Sequence, residues 1–133
     1  NEISERLSEN MYMGESRKKV LEALDHSVSE HLIPNWDGYG AKAANPYSYF
    51  FASRFLDVLP MNMPSPEVGV DPDGEISFEW YRNPRQVFSI SVAPNRDLNY
   101  AGLFGCNKVY GTESFEDKLP RVILENLKSL FED

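Results

Sequence analysis

Residues 68–80 read VGVDPDGEISFEW, and the fold turns on how this stretch is read. Val68 and Val70 alternate with Gly69. Ile76, Phe78 and Trp80 then alternate with Glu75, Ser77 and Glu79. A period of two puts one set of side chains on each face of a pleated strand, so both runs read as half-buried strands. Between them Asp71-Pro72-Asp73-Gly74 is a turn, because proline presets φ and glycine tolerates a left-handed backbone.

The same pattern continues toward the C-terminus. Asn83-Pro84 turns the chain, and Phe88, Ile90 and Val92 alternate with Val87, Ser89 and Ser91. Pro94-Asn95-Arg96-Asp97 is another turn, and Tyr100 to Phe104 reads as a fourth strand. Residues 105–113, GCNKVYGTE, read as a loop. Four short strands joined by short turns predict an antiparallel meander.

On either side of the strands the period is helical. Val20, Leu21, Leu24, Val28 and Leu32 recur along one face of a helix over residues 2–33, strongest from Glu15 to His31 and stopped by Pro34. Ile3, Leu7 and Met11 form a weaker stripe. Gly14 either breaks the helix or marks a start, residues 1–14, expected to be mobile. Asn45-Pro46 opens a second helix, Asn as N-cap and Pro at the first helical position. Its stripe is Tyr47, Phe50, Phe51, Phe55, Leu56 and Leu59, ended by Pro60, Pro64 and Pro66. Pro120 opens a last helix with Val122, Ile123, Leu127, Leu130 and Phe131 on one face. The prediction is a single α+β domain over residues 1–133. It has two layers: two N-terminal helices and one C-terminal helix cover one face of a four-stranded antiparallel meander.

Composition bounds the function. The chain has 133 residues, with eight Phe, seven Tyr and two Trp, enough for a real core. Its formal net charge of −8 argues against nucleic-acid binding, which needs a basic face, and against an anionic membrane surface. A single cysteine, Cys106, forms no intrachain disulfide, which fits a reducing cytosol. No signal-peptide pattern and no apolar run near ~18 residues is present, so a cytoplasmic protein is expected.

Three clusters are candidate sites. His26, Glu30 and His31 share a helix end, but H-x-x-x-E-H matches neither zinc-helix pattern, and a solvated face is the plainer reading. Glu67, Asp71, Asp73, Glu75 and Glu79 fall within a stretch free of Lys and Arg. Such carboxylates act as acid and base, hold a hard cation, meet a basic partner, or form a solvated sheet face. The loop NWDGYGA, residues 35–41, offers Trp36, Asp37 and Tyr39 as two stacking surfaces and one acceptor; alternatively the rings pack over the helix–sheet sandwich. No G-x-S-x-G elbow, P-loop or G-x-G-x-x-G is present, and Cys106 has no histidine nearby in sequence.

W-D-G-Y-G-A at 36–41 and D-G-E-I-S-F-E-W at 73–80 resemble a group of small, uncharacterised bacterial proteins. These carry a W-D-G-Y-G-A loop and a later D-G-x-I-x-x-E-W strand. The similarity covers roughly residues 33–105. It implies a bacterial or phage origin, a small cytosolic protein and a mobile or defence-related gene cassette, and it carries over no functional residue.

The expectation is a non-enzymatic acidic module without cofactor or metal. It would bind a basic protein partner through Glu67, Asp71, Asp73, Glu75 and Glu79, as an antitoxin, immunity protein or defence inhibitor does. The alternative is a small-ligand or metal-binding protein using the aromatic loop. An edge strand would also allow a homodimer across a two-fold axis, though nothing in the sequence selects it.

Overall fold

The computed structural model describes residues 2–60 and 62–132, with side chains from Ser16 onward. The expectation that residues 1–14 are mobile concerns side chains outside that set. Helix α1 (Glu2–Ser29) runs through Gly14, and α2 (Pro46–Val58) follows. Strands β1 (Glu67–Val70), β2 (Ile76–Asn83), β3 (Gln86–Val92), β4 (Asp97–Phe104) and β5 (Asn107–Ser114) come next, then α3 (Arg121–Phe131). The sheet is an antiparallel meander in the order β1-β2-β3-β4-β5.

The sheet therefore has five strands rather than the four expected. The GCNKVYGTE segment is not a loop: Gly105 and Cys106 make a two-residue turn, and Asn107–Ser114 pairs along all of β4. Gly105 takes φ +68, as the first position of a tight hairpin turn requires. Positions 107, 109, 111 and 113 of β5 share the face of Tyr100 and Leu98, and only Val109 among them is apolar. At Gly111 a Cβ would overlap the Tyr100 ring and hydroxyl, so a larger residue there must displace that side chain.

One core cluster fills the space between the helices and the inner sheet face. Ile76, Phe78, Trp80, Phe88, Ile90, Val92 and Leu98 meet Val20 and Leu24 of α1, Ala52, Phe55 and Leu56 of α2, and Ile123, Leu127 and Leu130 of α3. Phe55 stacks on Phe78 at 5.7 Å and meets Phe115 edge-on at 5.8 Å. Three side chains fix α1. Arg17 donates to the Leu59 carbonyl at 3.1 Å, Ser27 to the Val68 carbonyl at 3.3 Å, and the Tyr49 hydroxyl bonds Asp25.

The apolar stripes of two helices are broader than the faces they bury. Tyr47 and Phe50 of α2 are exposed, and Leu32 lies beyond the end of α1 in solvent. The α2 start is as expected: Asn45 caps it, its side chain accepting from the Tyr47 and Ser48 amides.

Candidate functional site

The loop 35–41 is held closed by its own polar groups. Asn35 takes a left-handed backbone, φ 63, that asparagine tolerates; Gly38 and Gly40 take φ 78 and 86. Asp37 accepts from the amides of Tyr39 at 2.8 Å and Ala41 at 3.0 Å. Those donors, Tyr39 first, hold its carboxyl below the usual carboxylate range. The Trp36 indole N–H donates to the Lys42 carbonyl at 2.8 Å, and its ring meets His31 edge-on at 4.4 Å. Trp36 packs against the core, whereas Tyr39 stands almost wholly in solvent. Two of the three proposed ligand residues thus spend their polar atoms on shaping the loop.

The far end of this loop is fastened to the β1–β2 turn. The Lys42 amide donates to the Pro72 carbonyl, and the Asn45 amide to the Gly74 carbonyl, both at 2.8 Å. Gly74 sits so close that a Cβ would lie 2.5 Å from the Ala43 carbonyl oxygen, and its φ is +87. Ser48, fully buried one turn into α2, accepts from the Ile76 amide at 2.8 Å and donates to the Val92 carbonyl. The segment Lys42 to Asn45 that follows the W-D-G-Y-G-A loop is therefore latched by its backbone to the Pro72–Gly74 turn that opens the D-G-E-I-S-F-E-W strand. The glycines and aspartates of the two motifs serve turn geometry, and Trp80 of the second motif is core, its N–H donating to the Pro64 carbonyl at 3.0 Å.

The five acidic residues divide into two groups. Asp71, Asp73 and Glu75 sit at the β1–β2 turn. The Ser91 hydroxyl donates to Asp71 at 3.0 Å, and the Glu75 amide donates to Asp73 at 2.9 Å. Partial burial, then the charges of Asp73, Asp71 and Asp97, push the Glu75 carboxyl up. Glu67 and Glu79 lie at the other end of the hairpin, directly opposite each other across β1 and β2. Both are exposed, and neither carboxylate forms an ion pair or hydrogen bond with another described residue.

Glu79 belongs to the outer face of the sheet, which no helix covers. Its cross-strand row runs Glu67, Glu79, Ser89, Ala101, Tyr110; the next runs Tyr81, Val87, Leu103, Lys108. Tyr81 and Tyr110 are exposed by 58% and 84%, high for rings of this size. Val87, Ala101, Leu103, Lys108 and Tyr110 line a shallow depression of about 350 Å³. The sequence signal for this surface is the alternation of the strands, odd-numbered on β1 to β4 and even-numbered on β5, where the loop reading hides it.

The remaining candidates do not converge. His26 pairs with Glu30 at 3.1 Å on an exposed helix face, while His31 turns back to donate to the Ser27 carbonyl. Cys106 is exposed at the β4–β5 turn. Among the described residues no group of three or more His, Cys, Asp or Glu side chains is placed to hold a metal, and every buried side-chain nitrogen or oxygen has a partner. An apolar pocket between Arg17, Val20, Leu59, Met63 and Trp80 measures about 50 Å³, room for a few water molecules. Among the described residues no helix is long and apolar enough to cross a membrane.

Comparison of the chain with protein-family models, with curated proteins and with solved structures finds no match.

Proposed function

We propose that the protein is a non-enzymatic protein-binding module whose bare sheet face docks a basic partner. Antitoxins, immunity proteins and phage or defence inhibitors work in this way. The observation that carries the reading is the Glu67–Glu79 pair. Two like charges directly opposite on a sheet destabilise it, and no described cation offsets them. A surface that keeps such a pair beside exposed Tyr81, with exposed Tyr110 at the far end of the same cross-strand row, has the makeup of an interface. Carboxylates steer and select a basic partner, and tyrosines supply anchoring area at low entropic cost.

The chemistry of the other surfaces supports a binder over an enzyme. Asp37 and Asp71 accept hydrogen bonds within their own loops or sheet, and the two histidines point apart. The small-ligand alternative rests on Tyr39, the one fully exposed member of the loop trio, beside the half-buried Trp36 and Asp37.

The test is affinity capture of the tagged chain from its native cells at low and high salt, read by mass spectrometry. A basic protein held at low salt and released at high salt is the expected result, because exposed charge pairs are screened by salt. A column that retains nothing at either salt would refute this reading and shift weight to a small ligand at the 35–41 loop.

A further inference from the structure

The two edges of the sheet are unequal. β1 is four residues long, lies beneath α1 and carries Glu67. β5 is eight residues long, contains no proline, and has only β4 beside it in the sheet. Natural edges are usually blunted by shortness, charge, bulges or cover, and β5 uses only charge, at Lys108 and Glu113.

The free backbone groups of β5 can be counted from its pairing. The two-residue turn makes Phe104–Asn107 a hydrogen-bonded pair, so alternation commits residues 107, 109, 111 and 113 to β4. The Phe115 amide, which donates to the Arg96 carbonyl at 2.8 Å, keeps the same phase. Lys108, Tyr110 and Thr112 therefore present their N–H and C=O groups outward. A second β5 running antiparallel must oppose these even positions with even positions, and a two-fold axis through Tyr110 does so. Tyr110 then faces its own copy, Lys108 faces Thr112, Val109 faces Gly111 and Asn107 faces Glu113. No like charges meet. A shift of one pairing step would set Val109 against Glu113 and draw Ser114, where the chain leaves the sheet, into the ladder.

The geometry points to a homodimer formed by β5 across this axis, giving one continuous ten-stranded sheet. The occupant is a second copy because the strand is complementary to itself in hydrogen bonding, brings no like charges into register and sets its central exposed tyrosine against its own copy. The distribution of acid also permits it. Glu79 of one copy lies seven strand spacings from Glu79 of the other, roughly 33 Å at ~4.8 Å per spacing, well past the ~8–10 Å screening length. The dimer leaves both acidic hairpins at the far ends; it shares Tyr110 with the proposed partner face, so its test reads oligomeric state alone and not partner capture.

The full chain, in wild-type form and as Tyr110→Lys and Thr112→Pro, is measured by sedimentation equilibrium, with circular dichroism as the check on folding. Wild type should sediment at twice its 15.2 kDa chain mass. Tyr110→Lys sets two cations face to face on the axis. Thr112→Pro removes an outward N–H that β4 does not use, and proline is tolerated on such an edge. Both should sediment as folded monomers. In a Cys106→Ser background Tyr110→Cys should cross-link on oxidation, since Cα atoms of a hydrogen-bonded pair lie ~5.5 Å apart, within disulfide range. Tyr39→Cys, equally exposed, should not. A wild-type monomer, a dimer that survives both substitutions, or cross-linking no faster at 110 than at 39 would overturn the proposal.

Discussion

The inner face of the sheet carries Ile76, Phe78, Trp80, Phe88, Ile90 and Leu98, all buried beneath three helices. One residue along each strand, the outer face carries Ser77, Glu79, Tyr81, Ser89, Ala101 and Tyr110, half-buried or open. The two faces share one backbone, so their difference is entirely one of side chains. On the inner face every ring has neighbours on a helix or an adjacent strand, and the side chains are chosen by packing. On the outer face two glutamates oppose each other and two tyrosines stand in water, choices that packing does not explain. Packing accounts for the side chains of the first face, and recognition is the role proposed for the second.

The contrast is broken most severely by Phe55→Ala. That ring touches Phe78 and Phe115 and is wholly buried, so the loss should be ~3–5 kcal/mol in urea unfolding. Against a total of ~5–15 kcal/mol, the variant should be marginal at 37 °C. A loss under ~1 kcal/mol would mean the core is not closed by α2.

Gly74→Ala probes the latch between the two motifs. Alanine there meets both the positive φ and the Ala43 carbonyl, so a cost of ~1–3 kcal/mol is expected, with faster amide exchange at Lys42 and Asn45. Unchanged exchange at those two amides would separate the motifs again.

Glu79→Gln removes the like-charge pair and touches no core residue. It should leave stability unchanged or raise it by roughly 0.2–1 kcal/mol at low salt, with the gain fading as salt is added. A core-sized loss in the same melt would show that Glu79 is structural.

Glu75→Gln should give the smallest effect, and its sign depends on pH. The folded carboxyl is pushed up by burial and by Asp73, Asp71 and Asp97. The folded state therefore binds the Glu75 proton more tightly than the unfolded chain, and its stability falls as pH rises through the carboxylate range. The glutamine variant should melt slightly higher than wild type at neutral pH and lose that advantage in acid, below the range where free glutamate titrates. An advantage that persists unchanged into acid would contradict this.

How much was legible in the sequence follows from how local each signal is. The Asp71–Gly74 turn, the Asn45-Pro46 cap and the alternation of β2 and β3 are set by neighbours within four residues, and they stand as read. β5 was not legible, because the reason for its glycine is the Tyr100 ring on the next strand and its inner positions include Asn107 and Glu113. Phe115 went unnoticed for a similar cause: it follows the last strand in no periodic run and is fixed by Arg96 and Phe55. Tyr47 and Phe50 were assigned inward because aromatic periodicity does not report how wide a face the sheet covers. The latch itself is backbone to backbone, so no side-chain pattern announces it. Of the acidic cluster, composition revealed the charge, and only the register separates Glu67 and Glu79 from the turn residues.

On the proposed reading the bare face is kept for a partner at some cost to the fold. This is tested most directly by Glu79→Lys, measured for both unfolding free energy and partner capture at low salt. Lysine opposite Glu67 turns a repulsive cross-strand pair into an attractive one. The expected variant is more stable than wild type and no longer retains a basic partner. A variant that captures the same partner as well as wild type at every salt concentration would contradict it.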